Sequence, residues 1–122
     1  MPIRRIKPLD GIAAVRAVLA DSSKRVNSDE DFKAAVRYLL EELSFLRPGR
    51  SVEVRVPPLG AVQCVEGLTH RRGTPPNTVE LNSTDWFALA VGEVTLDELA
   101  TSGRVLLSGT RSDISDVFPI WR

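Results

Sequence analysis

At 122 residues, the chain is long enough for one domain with its own core and too short for two domains of ordinary size. Its 16 Lys and Arg balance its 16 Asp and Glu, so there is no net positive field to attract nucleic acid or an anionic membrane. No apolar run approaches the ~20 residues of a membrane span, and the single cysteine, Cys64, excludes an intrachain disulfide. We therefore expect one cytoplasmic domain, residues 1–122, without stable membrane insertion.

A first helix is predicted near the N-terminus. Asp10 has the position of an N-cap, and the helix reaches about Leu19. Ile12, Val15, Val18 and Leu19 fall at helical spacing and are expected on its buried face. Residues 1–9 are expected to form a loose N-terminal segment.

A second, stronger helix follows a polar loop. Ser28 and Asp31 resemble a capping box at its start, and apolar residues then recur at every third and fourth position as far as Leu46. Arg37 and Glu41 lie one turn apart on the opposite side and are expected to form an ion pair.

The apolar period changes to two after Arg50, which predicts β-strands. Val52, Val54 and Val56 alternate with charged residues, a pattern typical of a half-buried strand. Further strands are predicted at 61–65, within 67–76, around 79–81 and at 104–108.

Short helices are predicted after Ser83 or Thr84, after Thr95, which forms a capping box with Glu98, and after Ser112. An antiparallel meander followed by a helical crossover gives a mixed sheet with helices packed mostly on one face. The sequence therefore predicts an α+β fold.

The usual catalytic and metal-binding patterns are absent from the sequence. His70 is the single histidine, so a zinc site that included it and Cys64 would still lack two ligands. There is no Gly-rich phosphate loop and no GxSxG motif. We therefore expect no enzyme activity, no metal and no cofactor.

Two features suggest a binding function. The first is a turn-rich loop in which His70, Arg71 and Arg72 are candidates for anchoring a ligand head group, because guanidinium groups match carboxylate and phosphate. The alternative for this loop is an ordinary solvated connection.

The second feature is a concentration of aromatic residues in the C-terminal half. Such residues form either a filled core or the wall of an apolar cavity, and the pattern is compatible with both. A cavity would lie between the second helix, the sheet and the aromatic cluster. Its predicted lining residues are Leu39, Leu43, Val62, Cys64, Trp86, Phe87, Phe118 and Trp121.

Several stretches resemble a known family. The C-terminal signature of sterol carrier proteins is similar to residues 85–93 (DWFALAVGE) and 102–109 (SGRVLLSG). The short stand-alone sterol carrier family proteins of actinobacteria are similar to residues 50–58 (RSVEVRVPP), 60–67 (GAVQCVEG) and 72–77 (RGTPPN).

The resemblance implies a five-stranded mixed sheet covered by helices, with an apolar tunnel that accepts fatty acyl chains, sterols or similar lipids. The function we expect is non-enzymatic carriage of a small hydrophobic ligand, with no nucleic-acid partner. The alternative is a protein–protein interaction module with the same fold and a filled core, working through its surface or as a homodimer.

Overall fold

The computed structural model describes residues 2–67, 75–109 and 112–122. Its elements, in chain order, are α1 (Pro8–Ala20), α2 (Glu30–Leu46), β1 (Val52–Val56), β2 (Gly60–Cys64), β3 (Asn77–Leu81), α3 (Ser83–Val91), α4 (Leu96–Thr101) and β4 (Val105–Ser108). Two 3₁₀ turns, Ser22–Lys24 and Ser115–Val117, precede α2 and follow β4. Within the described ranges, no helix combines the length and the hydropathy needed to cross a membrane.

Helix α1 begins three residues earlier than the sequence predicts, with Lys7 in place of Asp10 as its N-cap. Pro8 occupies the first helical position, where the N–H that proline lacks has no helical partner. Asp10 lies in the first turn instead of capping it, which is a favourable place for negative charge. Val15 and Val18 are buried as predicted, whereas Leu19 is exposed. The buried face packs along α2.

The predicted second helix is confirmed as α2, although its N-cap differs. The Asp29 carboxylate accepts a hydrogen bond from the N–H of Phe32 at 2.9 Å, so Asp29 caps the helix in place of Ser28. The predicted ion pair between Arg37 and Glu41 does not form, because each of these side chains contacts a different segment of the chain.

The sheet is mixed, as predicted. Its strand order is β2-β1-β3-β4, with β1 parallel to β3 and the two outer pairs antiparallel. The predicted meander is wrong among the described strands, because β3 pairs with β1 and not with β2, and the helical segment between β3 and β4 joins an antiparallel pair. The described ranges contain four strands, not the five that the resemblance implies. The additional strand is expected within 67–76, and residues 68–74 of that stretch lie outside the described residues.

One face of the sheet carries the core. Val52, Val54 and Val56 are completely buried on this face, whereas Glu53 and Arg55 between them point away from it. Strand β3 repeats the alternation. The half-buried strand predicted from the period of two is therefore confirmed.

Two short helices follow β3. The side chain of Asn82 accepts the N–H of Asp85 at 2.8 Å and caps α3, one residue before the predicted Ser83. Thr95 is the N-cap of α4, as predicted: the Glu98 N–H donates to Thr95 Oγ1 at 3.1 Å, and the Thr95 hydroxyl in turn donates to the Glu98 carboxylate at 3.1 Å.

The last predicted helix is reduced to the 3₁₀ turn Ser115–Val117. The chain then returns to α3, where the N–H groups of Ile120 and Trp121 both donate to the carbonyl of Ala90 at 2.9 Å. These bonds satisfy a carbonyl at the end of α3 that has no partner within the helix.

Candidate functional site: an apolar groove with a cationic rim

An open groove of about 1360 Å³ lies between α2, strand β2 and the N-terminal segment, residues 2–7. Its wall on α2 is a single helical face, because the lining residues follow one another at spacings of three and four. They include Lys33, Ala34, Arg37, Leu40, Glu41 and Ser44. Strand β2 and the turn before it supply the opposite wall.

Helix α2, strand β2 with its preceding turn, and the N-terminal segment each contribute apolar side chains to the floor of this groove. Leu40 of α2 and Leu59 of the β1–β2 turn are nearly buried, and Ala34, Val62 and Ile6 are half-buried beside them. The half-buried side chains leave some apolar surface open to the groove, which is the property expected of a site for a hydrophobic ligand.

The N-terminal segment is fixed as a wall by contacts with α2. One carboxylate oxygen of Glu41, a buried residue, accepts the backbone N–H groups of Arg5 at 3.1 Å and of Ile6 at 3.2 Å. The Arg4 guanidinium forms an ion pair of 2.8 Å with Glu42 and lies 4.4 Å from the ring centroid of Phe45. Two adjacent glutamates of α2 therefore hold the segment.

The charged lining residues of the groove are four cations, Arg5, Lys33, Arg37 and Arg50, and three carboxylates, Glu30, Glu41 and Glu66. Arg37 donates from Nε to the carbonyl of Leu59 at 2.8 Å, which ties α2 to the β1–β2 turn and fixes the guanidinium over the groove. Lys33 is paired with Glu30 at 3.2 Å. Within the described ranges, Arg5 and Arg37 form no ion pair. Both are therefore free to bind an anion.

The eight residues predicted to line a cavity are brought together, but as members of the core. Five of them are buried: Leu39, Leu43, Cys64, Trp86 and Phe87. The other three, Val62, Phe118 and Trp121, are half-buried and pack against the same core. Val62 is the member of this set that also lines the groove.

The aromatic members of the set have close partners. The Trp86 indole N–H donates to the Val36 carbonyl at 3.2 Å, and its ring meets Phe118 edge-on at a centroid distance of 5.8 Å. Phe87 lies 5.9 Å from Phe32. The Arg25 guanidinium lies 4.8 Å from the centroid of the Phe87 ring.

Two further features from the sequence analysis are the head-group anchor and the cysteine. His70, Arg71 and Arg72 lie outside the described residues, so their role in anchoring a head group stays a prediction.

Burial raises the pKa of Cys64 to about 11, so the thiol stays protonated and unreactive at neutral pH. Within 2–67, 75–109 and 112–122 there is no cluster of three or more His, Cys, Asp or Glu that could hold a metal ion.

The sequence model of a family described as "Bacterial SCP ortholog" matches residues 28–120, which is most of the chain. The chain belongs to this bacterial sterol carrier protein family. Membership confirms the resemblance and supports a lipid-binding or carrier role at the general level of the family. A search of curated proteins gives no match.

The structure explains two charged positions of the sterol carrier signature. Asp85, whose side chain is 3% exposed, is bound by Arg104 through two contacts, one of them 3.1 Å from Nε to Oδ2. The Asn82 amide donates to the same oxygen at 3.0 Å. The acidic residue of one signature stretch and the basic residue of the next therefore join the start of α3 to the start of β4.

We expect Arg104→Ala to lower the free energy of unfolding by about 2 kcal/mol, because a buried carboxylate loses its charged partner. The value is below that for a fully buried pair, since Arg104 is 58% exposed and the pair is partly screened. Urea unfolding measures it. Arg55→Ala, on the open face of the sheet, is the control and should change stability little. Equal effects of the two variants would contradict this account of the signature.

The sequence analysis missed the groove residues Arg5, Ala34, Arg37 and Glu41. The groove is built from three segments that are distant in sequence, and the sterol carrier family match does not include the first of them. One signal was present: Ala34 and Ser44 are small residues on a side of α2 that also carries Lys33, Arg37 and Glu41, and they leave room for the groove.

Proposed function

We propose that the protein is a non-enzymatic carrier of an anionic lipid with an acyl chain, and that the lipid binds in the groove between α2, β2 and residues 2–7. The observation that supports this most is the pairing of an apolar floor with two arginines, Arg5 and Arg37, that have no ion-pair partner among the described residues. Membership of the sterol carrier family supports the general class of ligand.

Estimates of binding free energy indicate what the apolar floor and the arginines each contribute. Burying an acyl chain of a dozen methylenes contributes about 10 kcal/mol before costs, and a hydrogen bond from Arg37 to a carboxylate adds about 2 kcal/mol. Association costs at least about 4 kcal/mol. We therefore expect a dissociation constant that is micromolar or weaker. The apolar floor therefore supplies most of the binding free energy, and the arginines determine the orientation of the ligand in the groove.

Displacement of a fluorescent fatty acid tests the floor of the groove. Ala34→Glu places a carboxylate on the apolar floor at a helical position that tolerates it, so affinity should fall about tenfold or more. Ala100→Glu makes the same change at an exposed position of α4 and should leave binding unchanged. If neither protein nor variant shows saturable binding, the carrier function fails.

The role of Arg37 is tested by comparing a fatty acid with the corresponding fatty alcohol. Arg37→Gln should weaken the acid about tenfold, because a charge-assisted hydrogen bond is lost, and should leave the alcohol nearly unaffected. An equal loss for both ligands would mean that Arg37 acts by holding the Leu59 turn and not by binding the head group.

A second candidate is an interaction or homodimerisation module with a filled core. It is supported by the complete burial of Trp86, Phe87 and their neighbours in one core, where close-packed side chains leave a ligand little room. Sedimentation velocity separates the two candidates: a stable dimer without lipid binding supports the module, and a monomer that binds lipid supports the carrier.

A further inference from the structure

Gly60 lies at the start of β2, where neither the backbone conformation nor close packing requires a glycine. Its φ angle is not positive, unlike the φ angles of Gly49 and Gly103. At Gly11 a Cβ atom would overlap the Tyr38 ring, whereas a Cβ atom at Gly60 would have no neighbour nearer than 3.4 Å. A glycine weakens a strand and often marks a place where a ligand approaches the backbone closely. The missing side chain therefore points to a role in the groove, which Gly60 lines.

A side chain at position 60 would be directed towards α2. Gly60 is paired with Val56 of β1, whose side chain is completely buried on the face of the sheet that carries the core. Residues directly opposite each other in an antiparallel pair share a face, so position 60 faces the helix. A Cβ atom there would lie 3.4 Å from Leu40 Cδ1 and 4.0 Å from Arg37 Cγ.

These two neighbours belong to the two parts of the groove. Leu40 is nearly buried in the apolar floor, and Arg37 is held over the groove by its hydrogen bond of 2.8 Å to the Leu59 carbonyl. Both line the groove, and they lie three residues apart on one face of α2. Because a Cβ atom at position 60 would already contact both residues, a larger side chain would fill the space between the floor and the arginine.

We propose that Gly60 is a specificity-determining residue of the groove. Its lack of a side chain lets the acyl chain of a bound lipid lie on the floor beside Leu40 while the acid group stays at Arg37. This inference rests on the proposed function, because it concerns how a lipid binds in the groove. A larger residue at position 60 separates the two contacts, so the groove then binds hydrophobic ligands without distinguishing an acid from an alcohol.

Gly60→Val tests the inference by displacement of a fluorescent fatty acid. Valine is favoured in strands, so the variant should give the circular dichroism spectrum of the parent protein. Its affinity for a fatty acid should fall about tenfold, as for Arg37→Gln, because the same charge-assisted hydrogen bond is lost. Its affinity for the corresponding fatty alcohol should change little. Gly60→Ala adds a single methyl group and should give a smaller loss for the acid, which provides a second test if the valine variant does not fold.

A double variant tests whether Gly60 and Arg37 act together. Gly60→Val, Arg37→Gln should bind the fatty acid no more weakly than Gly60→Val alone, because the contact with Arg37 is already lost. The matched control is Ser108→Val, which adds a β-branched side chain at an exposed strand position outside the groove. The control should keep the affinity and the acid preference of the parent protein.

The outcomes separate this inference from the proposed function. If the parent protein binds the acid saturably and Gly60→Val keeps the acid preference, the inference is overturned and the carrier function stands. Equal losses for acid and alcohol also overturn it, because valine would then act only by filling the floor. Additive losses in the double variant overturn it as well, since the two residues would act separately. Absence of saturable binding by the parent protein overturns both.

Discussion

Replacing Trp86 with alanine is expected to lower the free energy of unfolding by about 4 kcal/mol. Trp86 is completely buried, packs edge-on against Phe118 and donates its indole N–H to the Val36 carbonyl. The change removes the apolar contacts and leaves a cavity that rigid neighbours do not fill. A loss of this size is a large fraction of the total stability of a domain, which is about 5–15 kcal/mol.

Urea unfolding followed by circular dichroism measures this loss. Trp86→Phe is the control, because it keeps a six-membered aromatic ring and loses only the hydrogen bond and the rest of the indole, so it should cost clearly less than Trp86→Ala. If Trp86→Ala cost less than Trp86→Phe, or nothing, the side chain would border unfilled space. The cavity predicted among these aromatic residues would then be supported over the close-packed core.

Gly49→Ala is expected to cost about 3 kcal/mol, because a side chain at this position meets backbone. A Cβ atom there would lie 2.2 Å from the carbonyl carbon and oxygen of Val65, and the φ angle of +148° is unfavourable for alanine. Two backbone hydrogen bonds hold the Val65 backbone in place. Its N–H donates to the carbonyl of Arg47 at 2.7 Å, and its carbonyl accepts from the N–H of Ser51 at 3.0 Å.

Gly103→Ala separates backbone strain from the steric contact. Gly103 also has a positive φ, +71°, but a Cβ there would have no neighbour within 4 Å. Gly103→Ala should therefore lower the free energy of unfolding by only about 1 kcal/mol, the strain of a non-glycine residue in that conformation. Thermal unfolding of the two variants measures the difference. Similar melting temperatures would mean that the α2–β1 connection shifts to admit the Gly49 substitution.

The sequence predicted the elements that depend on local periodicity. Helix α2 and strand β1 were found because their apolar residues follow the helical and strand periods without interruption. The N-cap of α2 was misplaced by one residue, since Ser28, Asp29 and Asp31 are all good capping residues and only the hydrogen bond to Phe32 distinguishes them.

Contacts between segments distant in sequence determine the side-chain partners that apolar periodicity does not predict. Arg37 and Glu41 have the spacing of a helical ion pair, but the Leu59 carbonyl and the N–H groups of Arg5 and Ile6 offer them other partners. Those partners lie far away in sequence, so no local pattern predicts them. The groove depends on the same contacts and was missed for the same reason. The signature stretches were recognised, but the bond between Asp85 and Arg104 emerged from the structure.

The central claim is that a lipid binds in the groove and not within the aromatic core. Amide chemical shifts recorded during titration with a fatty acid test it most directly. We predict saturable shifts for Ala34, Arg37 and Val62, with the indole N–H signal of Trp86 unchanged. Shifts concentrated at Trp86 and Phe118, or no saturable shifts at all, would contradict it.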